Sequence, residues 1–152
     1  MSGCWSTCAR CPTRRHPQFG KEPLARSLEA AGIAYAWEGA ALGGKGLSYN
    51  DAAARPAFSE ALDRLIDRAK GAVVCLMCAE KEPLDCHRTV LVSRRLAERG
   101  VEVTHLLADG GTRPQGEIEE TLLAKSAGGD LFDDRARLLA RAYDARERTM
   151  KA

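Results

Sequence analysis

The chain has 152 residues, 45% of them hydrophobic and 29% charged, with a formal net charge of +2. That length suits one domain with a real core, while so mild a charge does not argue for a nucleic-acid tract or a membrane surface. Apolar runs fall far short of a membrane span and no signal-peptide pattern opens the chain, so its six cysteines read as reduced thiols and a cytoplasmic location is expected.

Residues 1–12 read as an irregular segment ahead of one α/β domain over residues 13–146 and a tail over residues 147–152. Cys4, Cys8 and Cys11 have the spacing that holds an iron–sulfur cluster in radical enzymes using S-adenosylmethionine. Their place at the chain's start, without room for the barrel of such enzymes, argues against a cluster, and neither metal nor cofactor is assigned. Arg14, Arg15 and His16 form a basic loop. It is either a solvated run of charge or a clamp for phosphate or carboxylate, to which arginine presents a planar fork of donors.

A helix follows from about Lys21 to Ala31, with Leu24, Leu28 and Ala31 as its apolar stripe and Gly32 as its stop. Ile33 to Trp37 reads as a short strand. The stretch from Leu42 through Gly43 and Gly44 to Gly46 lacks the glycine spacing and the Lys-Ser/Thr ending of a Walker loop. It suits a mobile flap over a ligand, with Tyr49 projecting from it. Pro56 to Lys70 is an amphipathic scaffold helix that turns Phe58, Leu62, Leu65, Ile66 and Ala69 to one side.

The most informative stretch runs from Val73 to Arg88. An apolar strand stops at Glu80, a loop containing Pro83 follows, and a helix opens with Asp85 as its N-cap. Helical spacing of Val92 and Leu96 carries that helix to Gly100, and Val101 to Leu107 reads as a second strand. This predicts a right-handed βαβ unit with parallel strands, in a single-domain three-layer α/β/α fold built on a mostly parallel sheet.

Ligands of such sheets gather beyond the strand ends, where Glu80, Cys86, His87 and Arg88 fall. The helix start favours an anion there and would raise the thiolate fraction of Cys86. The plainer alternative makes Cys86 a packing residue, His87 a cap, and Arg88 a partner of Glu80 or Asp85. Cys75 and Cys78 stand on opposite faces of a strand, which argues against a shared metal or a disulfide, while Cys78 shares a face with Glu80. No arginine stands six residues after Cys78 or Cys86, so the phosphate loop of cysteine phosphatases is lacking. Beyond Leu107, Asp109 is either a turn residue or a group at the ligand edge. A helix is expected over Glu117 to Lys125. A last helix follows, opened by Asp133 or Asp134 and packed through Leu138, Leu139 and Tyr143.

Cys78-Ala79-Glu80, Cys86-His87-Arg88 and the run from Gly100 to His105 resemble the hallmark segment of the family called domain of unknown function 488. Thr13 to Phe19, Gly32 to Tyr35, Leu42 to Gly44 and Tyr49 are similar to its other blocks, in the same order. The resemblance implies a strand, a helix and a second strand ending in Asp-Val-Arg ahead of the Arg-Arg block. Cys8-Ala9-Arg10 stands in that last place, and an N-terminal truncation is expected.

The expected function is a small enzyme, a hydrolase or group transferase, that binds an anionic and nucleotide-like ligand. Arg14, Arg15 and Arg88 would neutralise the ligand beside Gly43, Gly44 and Tyr49. Glu80 or His87 would serve as general acid or base and Cys86 as nucleophile. One alternative is a non-catalytic nucleic-acid-binding or DNA-repair accessory module using Arg135, Arg137, Arg141, Arg146 and Arg148. The other is an inactive truncated family member.

Overall fold

The computed structural model describes residues 3–7 (backbone), 17–44, 46–126 and 134–151. Helices take up most of these residues, and no helix among them is long and apolar enough to cross a membrane. The chain divides into two compact units, Met1–Ala79 and Glu80–Ala152.

In the first unit, three short strands form a parallel sheet in the order β2-β1-β3. Strand β1 (Gly3–Thr7) lies in the middle, pairing Trp5 with Tyr35 of β2 (Ala34–Trp37) and with Cys75 of β3 (Val73–Met77). The N-terminal segment expected to be irregular therefore supplies the central strand. Helix α1 (Lys21–Ala30) ends at Gly32, whose φ of +71° is open to glycine at little cost. There the N–H groups of Gly32 and Ile33 donate to the carbonyls of Glu29 and Leu28, each at 2.9 Å.

The start of the glycine-rich stretch is enclosed. Helix α2 (Gly39–Leu42) precedes it, and Leu42, Gly43 and Gly44 are all buried. Helix α3 (Tyr49–Ala54) is capped by Ser48, whose Oγ accepts from the N–H of Asp51 at 3.0 Å. Helix α4 (Pro56–Ala69) opens on proline and buries Phe58, Ala61, Leu62 and Leu65, packing against α2, α3 and β3.

The second unit begins with a 3-10 turn (Pro83–Asp85). A π-helical segment (Arg88–Ser93) follows and continues into α5 (Arg94–Glu98). Strand β4 (Thr104–Leu106) then pairs antiparallel with β5 (Thr112–Pro114). Helices α6 (Gln115–Lys125) and α7 (Arg135–Lys151) pack together over Ile118, Leu122, Ala142 and Tyr143. Asp134 opens α7 by accepting from the N–H of Ala136 at 3.2 Å.

The fold expectation needs correcting. A three-layer α/β/α domain on a mostly parallel sheet requires strands covered on both faces. Here no residue of β2 or β3 is fully buried, and Val73 is 73% exposed. The expected βαβ unit is not formed among the described residues either, because β4 pairs antiparallel with β5. Gly110, with φ +86°, and the Asp109 carboxylate, which accepts from the Gly111 N–H at 2.9 Å, turn the chain straight back. Local hairpin pairing of β4 with β5 follows, at far smaller loop-closure cost than a crossover.

Candidate functional site

The loop after β3 is folded by its own proline. Pro83 starts the 3-10 turn, and its carbonyl accepts from the Cys86 N–H at 3.2 Å, which brings the chain back on itself. Cys86 Sγ then donates to the Glu80 carboxylate at 3.6 Å. The sulfur of Cys86, a carboxylate oxygen of Glu80 and a ring nitrogen of His87 lie within 4.8 Å of one another. Their exposures differ: Cys86 is fully enclosed, His87 half-buried and Glu80 open to solvent.

Asp85 does not cap the following helix. Its carboxylate pairs with Arg146 of α7, whose Nε also donates to the Leu84 carbonyl at 2.8 Å. The loop bearing the cluster is thus held from the far end of the chain. On the other side, the Cys86 carbonyl accepts from the N–H groups of both Thr89 and Val90, at 3.0 and 3.1 Å. The chain then enters the π-helical segment, a geometry concentrated at functional sites. Thr89 Oγ1 is buried there and meets no hydrogen-bond partner among the described residues.

Arg88 is half-buried and its charge reaches His105. Burial pushes the His105 imidazole below its ordinary value, its hydrogen bond to the Gln115 amide oxygen works against that, and the Arg88 guanidinium adds to the lowering. His105 belongs to a buried network that sequence reading missed. Its Nε2 meets Gln115 Oε1 at 2.6 Å, Gln115 Nε2 donates to Tyr143 Oη at 2.6 Å, and Tyr143 donates to Glu119 at 2.9 Å. The only signal available was a histidine on the inward phase of an alternating strand.

A cavity of about 1110 Å³ lies within the second unit. Leu122 and Ala142 line it, and six basic side chains (Lys81, Arg113, Lys125, Arg141, Arg146 and Arg148) outnumber the acidic Glu82, Asp85 and Asp109 in its lining. Lys81 to Asp85, the loop joining Glu80 to Cys86, form one wall.

The expected site residues are distributed unevenly. Glu80, Cys86 and His87 come together, and Arg88 follows directly. Gly43, Gly44 and Tyr49 belong to the first unit and are buried there. Arg14, Arg15, Cys8 and Cys11 lie outside the described residues, and Cys4 is described as backbone within β1. Cys75 and Cys78 are half-buried thiols of the first unit.

These motifs carry an assignment to a protein class. The family described as Domain of unknown function DUF488 matches residues 9–95, more than half of the chain, and the chain belongs to that family. No curated protein and no solved structure matches it.

Proposed function

We propose that the protein is a small enzyme, a hydrolase or group transferase acting on an anionic substrate, with its reaction centre at Glu80, Cys86 and His87. The observation that carries this reading is the convergence of a thiol, an imidazole and a carboxylate within 4.8 Å in one turn of chain. Glu80 is the exposed member and His87 the half-buried one, so a substrate can approach the cluster from their side. The basic lining of the neighbouring cavity supports an anion as the ligand class. Reducing conditions and a cytoplasmic setting suit the thiol.

The alternative of a nucleic-acid module leans on the arginines of α7. Two of them are engaged within the unit, Arg135 with Glu119 and Glu120 and Arg146 with Asp85, which leaves less charge for a phosphate backbone. The enzyme reading is therefore preferred.

A panel of phosphate esters, carboxylate esters and thioesters, followed for product release, tests it. Turnover of at least one class is expected, and Glu80→Gln and His87→Asn should each lower it by about 10²-fold or more. Turnover that is absent across the panel, or indifferent to both substitutions, overturns the proposal.

A further inference from the structure

We propose that Glu80, Cys86 and His87 together hold a divalent transition-metal ion, with zinc the best match to their donor chemistry. This deepens the preceding reading and rests on the same cluster being the reaction centre. The three side chains offer one sulfur, one nitrogen and one oxygen, the donor types that bind zinc, and their ligand atoms lie within 4.8 Å of one another. Zinc bonds to such donors set ligand atoms about 3.3 to 3.8 Å apart in a tetrahedron. The Cys86–Glu80 separation of 3.6 Å already falls in that range.

Burial points the same way. Cys86 is 0% exposed, which suits a sulfur that ligates an ion better than one that must meet a substrate in solution. Glu80 and His87 reach the surface, so an ion has an entry path and a substrate can approach it. The buried hydroxyl of Thr89, which meets no partner among the described residues and lies in the turn that Cys86 opens, is the kind of polar atom that native proteins leave beside a bound ion or water.

Uptake of the ion converts the Cys86 thiol into a thiolate. The S–H bond breaks, the proton passes to solvent and the sulfur–metal bond forms, with no change of oxidation state. Cys86 then acts as a ligand, and Glu80 and His87 share the charge of the ion.

The test uses the full chain, stripped with a chelator and titrated with Co²⁺ alone as a spectroscopic stand-in for zinc. One equivalent should produce a thiolate-to-cobalt charge-transfer absorption and release a proton. Cys86→Ser should abolish that absorption. Because Cys86 is a core residue, exposed Glu80 provides the second variant: Glu80→Gln should keep the far-UV circular dichroism of the parent and weaken cobalt binding by about tenfold or more.

No charge-transfer absorption in the parent overturns the proposal. So does an absorption that survives Cys86→Ser and disappears only when Cys4, Cys8 and Cys11 are replaced together. Cobalt binding that depends on Cys86 and Glu80, in a chain that turns over no substrate, upholds the metal site and overturns the enzyme reading. Undiminished turnover by the chelated chain upholds the enzyme and overturns the metal site.

Discussion

Two buried polar groups, Glu38 in the first unit and the His105–Gln115–Tyr143 network in the second, are held by opposite means. In the first, Glu38 is 8% exposed and remains charged under two arginines. Arg64 grips it as a fork, with Nε at 3.2 Å and Nη2 at 2.8 Å, and Arg68 adds a third bond at 3.3 Å. The Arg64 hydrogen bonds hold the Glu38 carboxyl below its usual range against the opposing effect of burial, with the charges of Arg64 and Arg68 adding to the lowering.

In the second unit Glu147 is likewise buried against a charged partner, Lys151, but the network around Gln115 is neutral at its two rings. His105 is pushed down and Tyr143 up, in both cases chiefly by burial, so each is held uncharged. The amide of Gln115 links them. A carboxylate whose partners reach solvent can stay ionised in a wall of the fold, whereas a ring sealed inside needs a neutral donor and acceptor.

That contrast is most strongly broken at Gln115. Replacing it with leucine strands the buried His105 ring and removes a donor from Tyr143. A loss of about 2 to 3 kcal/mol is expected, confined to the second unit. Amide exchange in α6 and α7 would register it. Fluorescence of Trp5 and Trp37, both in the first unit, should unfold at an unchanged urea midpoint. A shift in both signals would show that the units melt together.

Acid titration sharpens the contrast. His105 has a folded value below the ordinary 6.5, so its contribution is complete above that pH and is lost as pH falls through the folded value. Glu38 is lowered from 4.5, so its contribution is complete above pH 4.5 and is lost as pH falls through its own lower value. Protection should therefore decline first in the second unit, by at most about 1.4 kcal/mol per pH unit while one proton is taken up. Exchange rates measured between pH 7 and pH 4 check the order, and simultaneous loss would contradict it.

The smallest effect belongs to Glu38→Gln. Arg64 and Arg68 side chains are 46% and 35% exposed, so solvent screens the pair and a cost of about 1 kcal/mol is expected. The diagnostic is the pH profile of tryptophan fluorescence, which should lose its acid limb at Glu38.

Periodicity made the larger helices legible. Leu24 and Leu28 before Gly32, and Phe58, Leu62 and Leu65 after Pro56, place α1 and α4 within a residue of their observed limits. The strand from Val73 was equally plain at its start, although it ends at Met77 rather than running on to Glu80. The partners of strands were not legible, because alternation at Val101 to Leu107 fits a crossover strand and a hairpin strand alike. The Gly110-Gly111 turn decided between them.

The start of the Leu42 to Gly46 stretch was not legible for a related reason. Small residues signal flexibility in isolation, yet here Leu42, Gly43 and Gly44 are buried, Leu42 fully so. At the site, chain proximity made Glu80, Cys86 and His87 readable as a group. The bond from Gln115 to Tyr143 spans 28 residues, and no local pattern announces it.

The π-helical segment from Arg88 to Ser93 has a further consequence. Five consecutive side chains there, Thr89 to Ser93, are buried, which wraps the segment in protein on all sides and fixes its rotation. A π turn carries about one residue more than an α turn. Deleting a single position would relax it to ordinary winding, swinging everything upstream by about 100° about the helix axis. Segment length thereby acts as a dial on the direction in which the Cys86–His87 pair faces, and indels in this short stretch would re-aim that pair without altering either residue.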